Sequence, residues 1–171
     1  MAQDLNKMID RLNNLIALDY DATRAYEAAI QRIEARHLIE RLRSFQVDHE
    51  RHIQELGGVV KGLGGKPRAG PDLKGLVIQG FTAITSEMGD KAALKAMQGN
   101  EKLTTQTYSD ALAEDWPEQI RKLISNNYSD EQRHLAFIRE ALRLRSWEQQ
   151  PSLRKRLLDR RSNFADQGWP A

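Results

Sequence analysis

A shift of 82 residues lays one half of this chain on the other. Asp19, Tyr26, His49 and His52 map onto Glu101, Tyr108, Glu131 and His134, and the same ruler carries Leu12 to Leu94, Thr23 to Thr105, Ala29 to Ala111, Asp48 to Asp130 and Arg51 to Arg133. In each half a carboxylate is followed seven residues later by a tyrosine, and 30 residues later by a pair of metal- or proton-binding side chains spaced i, i+3. Residues at that spacing lie on one helix face about one turn apart, so both members of a pair reach one centre. Two helical hairpins packed about an approximate two-fold would therefore bring all six groups together in the middle of a bundle.

Apolar spacing of 3 and 4 dominates the chain and no clean alternation persists, which predicts an all-α fold. The first stripe is Met8, Leu12, Leu15, Asp19, Ala22, Tyr26, Ala29, Ile33, on a helix from about Asp4 to Glu34. The second is Leu38, Leu42, Phe45, His49, His52, Leu56, Val60, with a tight turn expected at Ala35-Arg36-His37, where His37 would be solvated. Gly62 to Pro71 is a breaker segment that opens a long connection. A helical piece through Leu73, Leu76, Val77, Phe81 and Ile84 follows, and Gly89-Asp90 ends it, with Asp90 expected to cap the next helix. That helix carries Leu94, Met97, Glu101, Thr104, Tyr108 and Ala111; the chain's methionines read as core filler. Asp115-Trp116-Pro117, an acidic cap ahead of a first-turn proline, starts the last long helix, with Ile120, Ile124, Asn127, Glu131, His134, Ile138 and Leu142 inward. Four long helices with short turns after the first and third and a long crossover after the second form a four-helix bundle over residues 1–146. A basic extension, 147–171, holds a short helix from Leu153 to Arg161.

Composition narrows the chemistry. With no Cys among 171 residues, thiolate metal sites, Cys nucleophiles and redox dithiols are excluded. Aliphatic runs such as Leu76-Val77-Ile78 are far too short for a membrane span, and the polar N-terminus lacks a basic-then-apolar signal, so a cytoplasmic location is expected. No Gly-rich phosphate loop, Ser-His-Asp order or nucleophile elbow occurs. The stretch from Arg139 to Arg161 carries a net of +5 against +2 for the whole chain, yet it reads as a solvated helix face, because no aromatic interleaving supports nucleic-acid binding.

What composition does not explain is why each inward stripe is broken near its middle by ionisable groups: Asp19 on the first, His49 and His52 on the second, Glu101 on the third, Glu131 and His134 on the fourth. Each costs several kcal/mol on burial, in rough terms, unless paired, hydrogen-bonded or bound to a metal. Two causes remain open at this point, a metal centre or a metal-free polar network that fixes helix register. Tyr26 and Tyr108 read as core rings with bonded hydroxyls. Asp48 and Asp130, one turn before His52 and His134, are placed either to orient an imidazole or to stand in solvent.

At these residues the chain resembles the ferritin-like superfamily, in its rubrerythrin-related branch, which includes small bacterial ferritin-like domains of unassigned function. Such proteins bind two irons with one Glu from each of the first and third helices and a Glu-x-x-His from each of the second and fourth. Glu101 and Glu131-Gln132-Arg133-His134 match outright, Asp19 is a shortened match, and His49-Glu50-Arg51-His52 departs, with His where the family has Glu. The resemblance implies two iron ions and ferroxidase-type or peroxide-scavenging chemistry, with Asp19 and Glu101 as terminal ligands, Glu131 bridging or chelating, and His49, His52 and His134 each on one metal. Oxygen or peroxide and metal ions are the implied partners, with a homodimer allowed. Three carboxylates and three neutral imidazoles leave two divalent ions with one excess positive charge. Three ways to resolve this stay open: a further carboxylate from Asp48, Glu50 or Glu27; a hydroxide or oxo bridge; or a single metal on His49, His52 and a carboxylate, which suits iron and is open to zinc. Manganese also remains open, as does a non-catalytic helical interaction module.

Overall fold

The computed structural model describes residues 2–70 and 89–148. Four helices account for most of them: α1 (Ala2–Ile30), α2 (Arg36–Gly62), α3 (Gly89–Leu112) and α4 (Glu118–Arg143), followed by a single 3-10 turn at Ser146–Glu148. The expected helical piece through Leu73 to Ile84 and the basic helix from Leu153 to Arg161 lie outside the described residues. Among the described residues no helix is long and apolar enough to cross a membrane.

The stripes close on two apolar clusters, one at each end. Ala29, Ile33, Leu38, Leu42, Phe45, Ala93, Leu94 and Ile138 fill one end, with Trp147 packed against them. Leu12, Ile16, Leu56, Val60, Trp116, Ile120 and Ile124 fill the other. Because α2 and α3 both run from the first cluster toward the second, they are parallel. The end of α2 and the start of α3 therefore lie at opposite ends of the bundle, as a crossover after the second helix requires. This is the ferritin-like arrangement of four helices.

Helix ends show where local sequence rules were overruled. The first helix stops at Ile30, four residues short of Glu34, and α2 starts at Arg36, so Ala35-Arg36-His37 is a helix start rather than the turn. The reason lies on α3. Asp90 does not cap its own helix; its carboxylate accepts hydrogen bonds from the backbone N–H groups of Glu34 at 2.8 Å and Ala35 at 3.1 Å, fixing the entry to α2, where no side chain of α2 caps it. His37 is half-buried, with its Nδ1 shielded, where full solvation was expected.

At the far end of α2, Gly64 adopts a left-handed φ of 78°, and the N–H groups of Gly64 and Gly65 bond back to Lys61 and Val60. These are the two bonds of a Schellman stop. Gly65 also passes so close to α1 that a Cβ there would meet Ile9 Cγ2 at 2.8 Å. Asn13 then ties the outgoing chain down, donating to the Lys66 carbonyl and accepting from the Arg68 N–H.

The start of α4 falls where Pro117 predicted, although Asp115 makes no capping bond. Instead Arg121 donates to the carbonyls of Leu112 and Glu114, and Trp116 Nε1 donates to Ala111, closing the loop from within.

Candidate metal centre

Between the two apolar clusters lies a polar layer to which every long helix contributes. Asp19, His49, His52, Glu101, Glu131 and His134 are all fully buried. Their ligand-type atoms fall into two groups, Asp19, His49, His52 and Glu131 in one and His49, Glu101, Glu131 and His134 in the other, each within 4.8 Å of one another. His49 and Glu131, which the 82-residue shift superposes, belong to both.

The first group is tight. His49 Nδ1 lies 2.9 Å from Asp19 Oδ1 and 3.5 Å from Glu131 Oε1, and His52 Nδ1 lies 3.5 Å and 3.4 Å from the same two oxygens. The second is wider, with His134 Nδ1 at 3.7 Å from Glu101 Oε2 and His49 Nε2 at 3.9 Å from Glu101 Oε1.

The outer side of each terminal imidazole is held from the opposite half. His134 Nε2 is 3.0 Å from Asp48 Oδ2, and His52 Nε2 is 3.3 Å from Asp130 Oδ2. The sequence placed each aspartate one turn from the histidine of its own helix, yet each serves the histidine across the bundle. Arg51 donates to Asp48 and Asp130, and Arg133 donates to Asp48 and pairs with Asp130, locking both carboxylates in place. The tyrosines cross over in the same way: Tyr26 donates to Glu101 Oε1 at 2.7 Å, and Tyr108 donates to Asp19 Oδ2 at 2.6 Å.

Asn100 and Asn127 complete the layer and carried no signal as site residues. Asn100 donates to Glu101, and Asn127 donates weakly to the Tyr108 hydroxyl. The 82-residue shift maps them onto Leu18 and Phe45, so the repeat concealed them. Phe45 instead covers the His134 ring, at 4.2 Å between centroids, and the two ends of the site differ in polarity.

Electrostatics follow from burial opposed by charge. Burial works against a charged Glu101, but the nearby His134 and His49 imidazoles overcome it and hold its carboxyl down to about 2. Asp48 also falls to about 2, against its own desolvation, through His134 and Arg133. Burial disfavours a charged His52, yet Asp19 and Glu131 raise it to about 9. Burial, reinforced by Glu101 and Asp19 respectively, pushes the hydroxyls of Tyr26 and Tyr108 up, so both stay protonated donors.

Despite these pairings, His49 Nε2, His52 Nδ1, His134 Nδ1, Glu101 Oε2 and both oxygens of Glu131 have no hydrogen-bond partner. A register-fixing network stabilises only when its members are satisfied. Besides the amide oxygens of Asn100 and Asn127, the unsatisfied atoms of the layer are these ligand-type nitrogens and oxygens, and their chemistry suits a divalent transition metal. Of the carboxylates considered as a fourth ligand, Glu27 and Glu50 are exposed, and Asp48 is committed to His134 and the arginines.

Comparison with known proteins agrees with this architecture. A solved structure of ferritin-like, diiron-carboxylate proteins from Bacillus anthracis str. Ames superposes with a TM-score of 0.65 at 20% identity, covering 83% of this chain and 99% of that one. No curated protein matches the sequence. A family model described as Domain of unknown function (DUF2383) matches residues 7–114, a span that includes Asp19, His49, His52 and Glu101 and ends before α4; the chain belongs to that family.

Proposed function

We propose that this bundle holds two iron ions between its helices and reacts them with oxygen or peroxide, in ferroxidase-type or peroxide-scavenging chemistry. The observation that carries the reading is the set of buried, unpartnered N and O atoms that converge from α2, α3 and α4 beside Asp19 of α1. Asp19 and His52 would hold one ion, Glu101 and His134 the other, and Glu131, which belongs to both groups, would serve as a ligand between them. Bound iron supplies the one-electron chemistry by which electrons pass to oxygen or peroxide.

The chain's own part is preorganisation. Asp48 and Asp130 accept the Nε2 protons of His134 and His52, which leaves each Nδ1 lone pair aimed inward. Tyr26 and Tyr108 each occupy one oxygen of a terminal carboxylate. For Glu101 this leaves Oε2 turned toward His134. The apolar clusters at both ends keep bulk water from the layer.

Metal analysis of protein from iron-supplemented cells, followed by anaerobic Fe(II) titration and oxygen addition, tests the reading. It predicts retained iron and an Fe(II)-dependent oxidation signal. An iron-free protein with no oxidation signal contradicts it.

A further inference from the structure

The repeat that preserves the buried layer breaks down on the outer side of the second hairpin. A groove of about 570 Å³ lies there between α3 and α4, within the range of about 300–1,000 Å³ usual for small-molecule sites. Lys102, Thr105 and Ser109 line it from one face of α3, and Tyr128, Gln132 and Arg139 from α4. The two helices are antiparallel, so Lys102 and Arg139 lie toward one end. Ser109 and Tyr128 lie toward the other, roughly 10 Å along α3 at about 1.5 Å of rise per residue.

The charge of the lining is one-sided. Among the described residues it holds two cations and no carboxylate. Neither Lys102 nor Arg139 makes an ion pair among the described residues, whereas Arg36, Arg51, Arg133, Arg143 and Arg145 all do. Neither has an acid one turn away on its own helix. The first hairpin carries a different set at the same register. The 82-residue shift sets Tyr20, Glu27, Glu50 and Gly57 against Lys102, Ser109, Gln132 and Arg139. Where the first half has two acids the second has neutral hydrogen-bonding side chains, and where the first is uncharged the second has its two cations.

We infer that the α3–α4 groove binds a phosphate group, either free or carried by a small polyhydroxylated molecule. A cleft lined by one sign of charge concentrates ions of the other. Arg139 offers a planar fork that matches two phosphate oxygens, and Lys102 a point charge beside it. Further along, the Gln132 amide and the hydroxyls of Ser109 and Tyr128 are donors and acceptors of the kind that sugar hydroxyls pair with. The site lies outside the ligand layer and needs no metal. Thr105, whose hydroxyl donates to the Glu131 carbonyl at 3.4 Å, is the wall the two share.

Calorimetric titration of the full-length chain with ribose 5-phosphate, inorganic phosphate and ribose tests this, with backbone amide NMR shifts locating the contact. Chelator treatment and dialysis come first, so that bound iron cannot supply the phosphate ligand. The expected result is saturable one-to-one binding of ribose 5-phosphate, weaker binding of phosphate and none of ribose, with shifts at Lys102, Gln132 and Arg139. Lys102→Gln and Arg139→Gln should each weaken binding about tenfold or more, the size of one lost charge-assisted bond. Ser109→Glu combined with Gln132→Glu, which brings in the acids of the first half, should abolish it. None of the four side chains is buried, so each variant is expected to keep the native melting temperature. Equal affinity for phosphate and ribose 5-phosphate upholds the site and assigns it to free phosphate. Binding of neither, ribose binding as tightly as its phosphate, or binding unchanged when Lys102 and Arg139 are both replaced by Gln overturns the inference and leaves the two-ion reading untouched.

Discussion

Asp48 on α2 grips His134 on α4 across the bundle, its Oδ2 3.0 Å from Nε2, and the same carboxylate is held by Arg133 from the helix it reaches toward. Its counterpart Asp130 does the reverse for His52. The two halves are thus tied through each other's ligands, and orientation of either imidazole depends on both hairpins.

Removing that grip should loosen the metal without unfolding the chain. Replacing Asp48 with Ala should weaken divalent-ion affinity by about 10- to 100-fold, the usual effect of losing an orienting partner. Competition with a coloured chelator measures it, and an unchanged affinity would mean that the His134 tautomer is set elsewhere.

The crossed tyrosines give a second test. Tyr26→Phe and Tyr108→Phe each delete a buried hydrogen bond to a carboxylate, worth about 1.5–3 kcal/mol. Denaturant unfolding of chelator-treated protein should register a loss of that order for each.

In chelator-treated protein the cluster also predicts how stability varies with pH. His52 is raised from 6.5 to about 9, so its contribution is full below 6.5 and is lost as pH rises toward 9. Glu101 is lowered from 4.5 to about 2, so its contribution is present above 4.5 and is lost as pH falls toward 2. The melting temperature should therefore peak between about pH 4.5 and 6.5. Excess divalent ion, which competes with protons for the same atoms, should stabilise most above that window. A melting temperature flat from pH 4 to 9 in the chelated protein would contradict the pairings.

Much of this was readable in the sequence. Four apolar stripes, a Gly-rich breaker and Asp115-Trp116-Pro117 located the helices, and charge at mid-stripe located Asp19, His49, His52, Glu101, Glu131 and His134. Legibility stopped where a partner is chosen in three dimensions. Asp48 lies one turn from His52 in sequence, but helix packing gives it to His134. Asp90 sits at its own helix start, yet its carboxylate accepts from the backbone of Glu34 and Ala35 at the α1–α2 corner. Asn127 stands on the inward stripe and Asn100 does not, but neither reads as a site residue, because the shift pairs Asn100 with Leu18 and Asn127 with Phe45.

Asp90→Ala isolates one of these tertiary choices. It should cost about 1 kcal/mol in unfolding free energy, in the range of a lost helix cap, and leave metal content unchanged. A changed metal content would show that the α1–α2 corner positions the ligands.

The most direct measurement of the central claim is anomalous diffraction from crystals of this chain loaded anaerobically with Fe(II). The account predicts two iron peaks inside the bundle, one beside Asp19 and His52 and one beside Glu101 and His134, with Glu131 and His49 between them. Data showing no iron within the ring of six, with their side chains ordered, would contradict it.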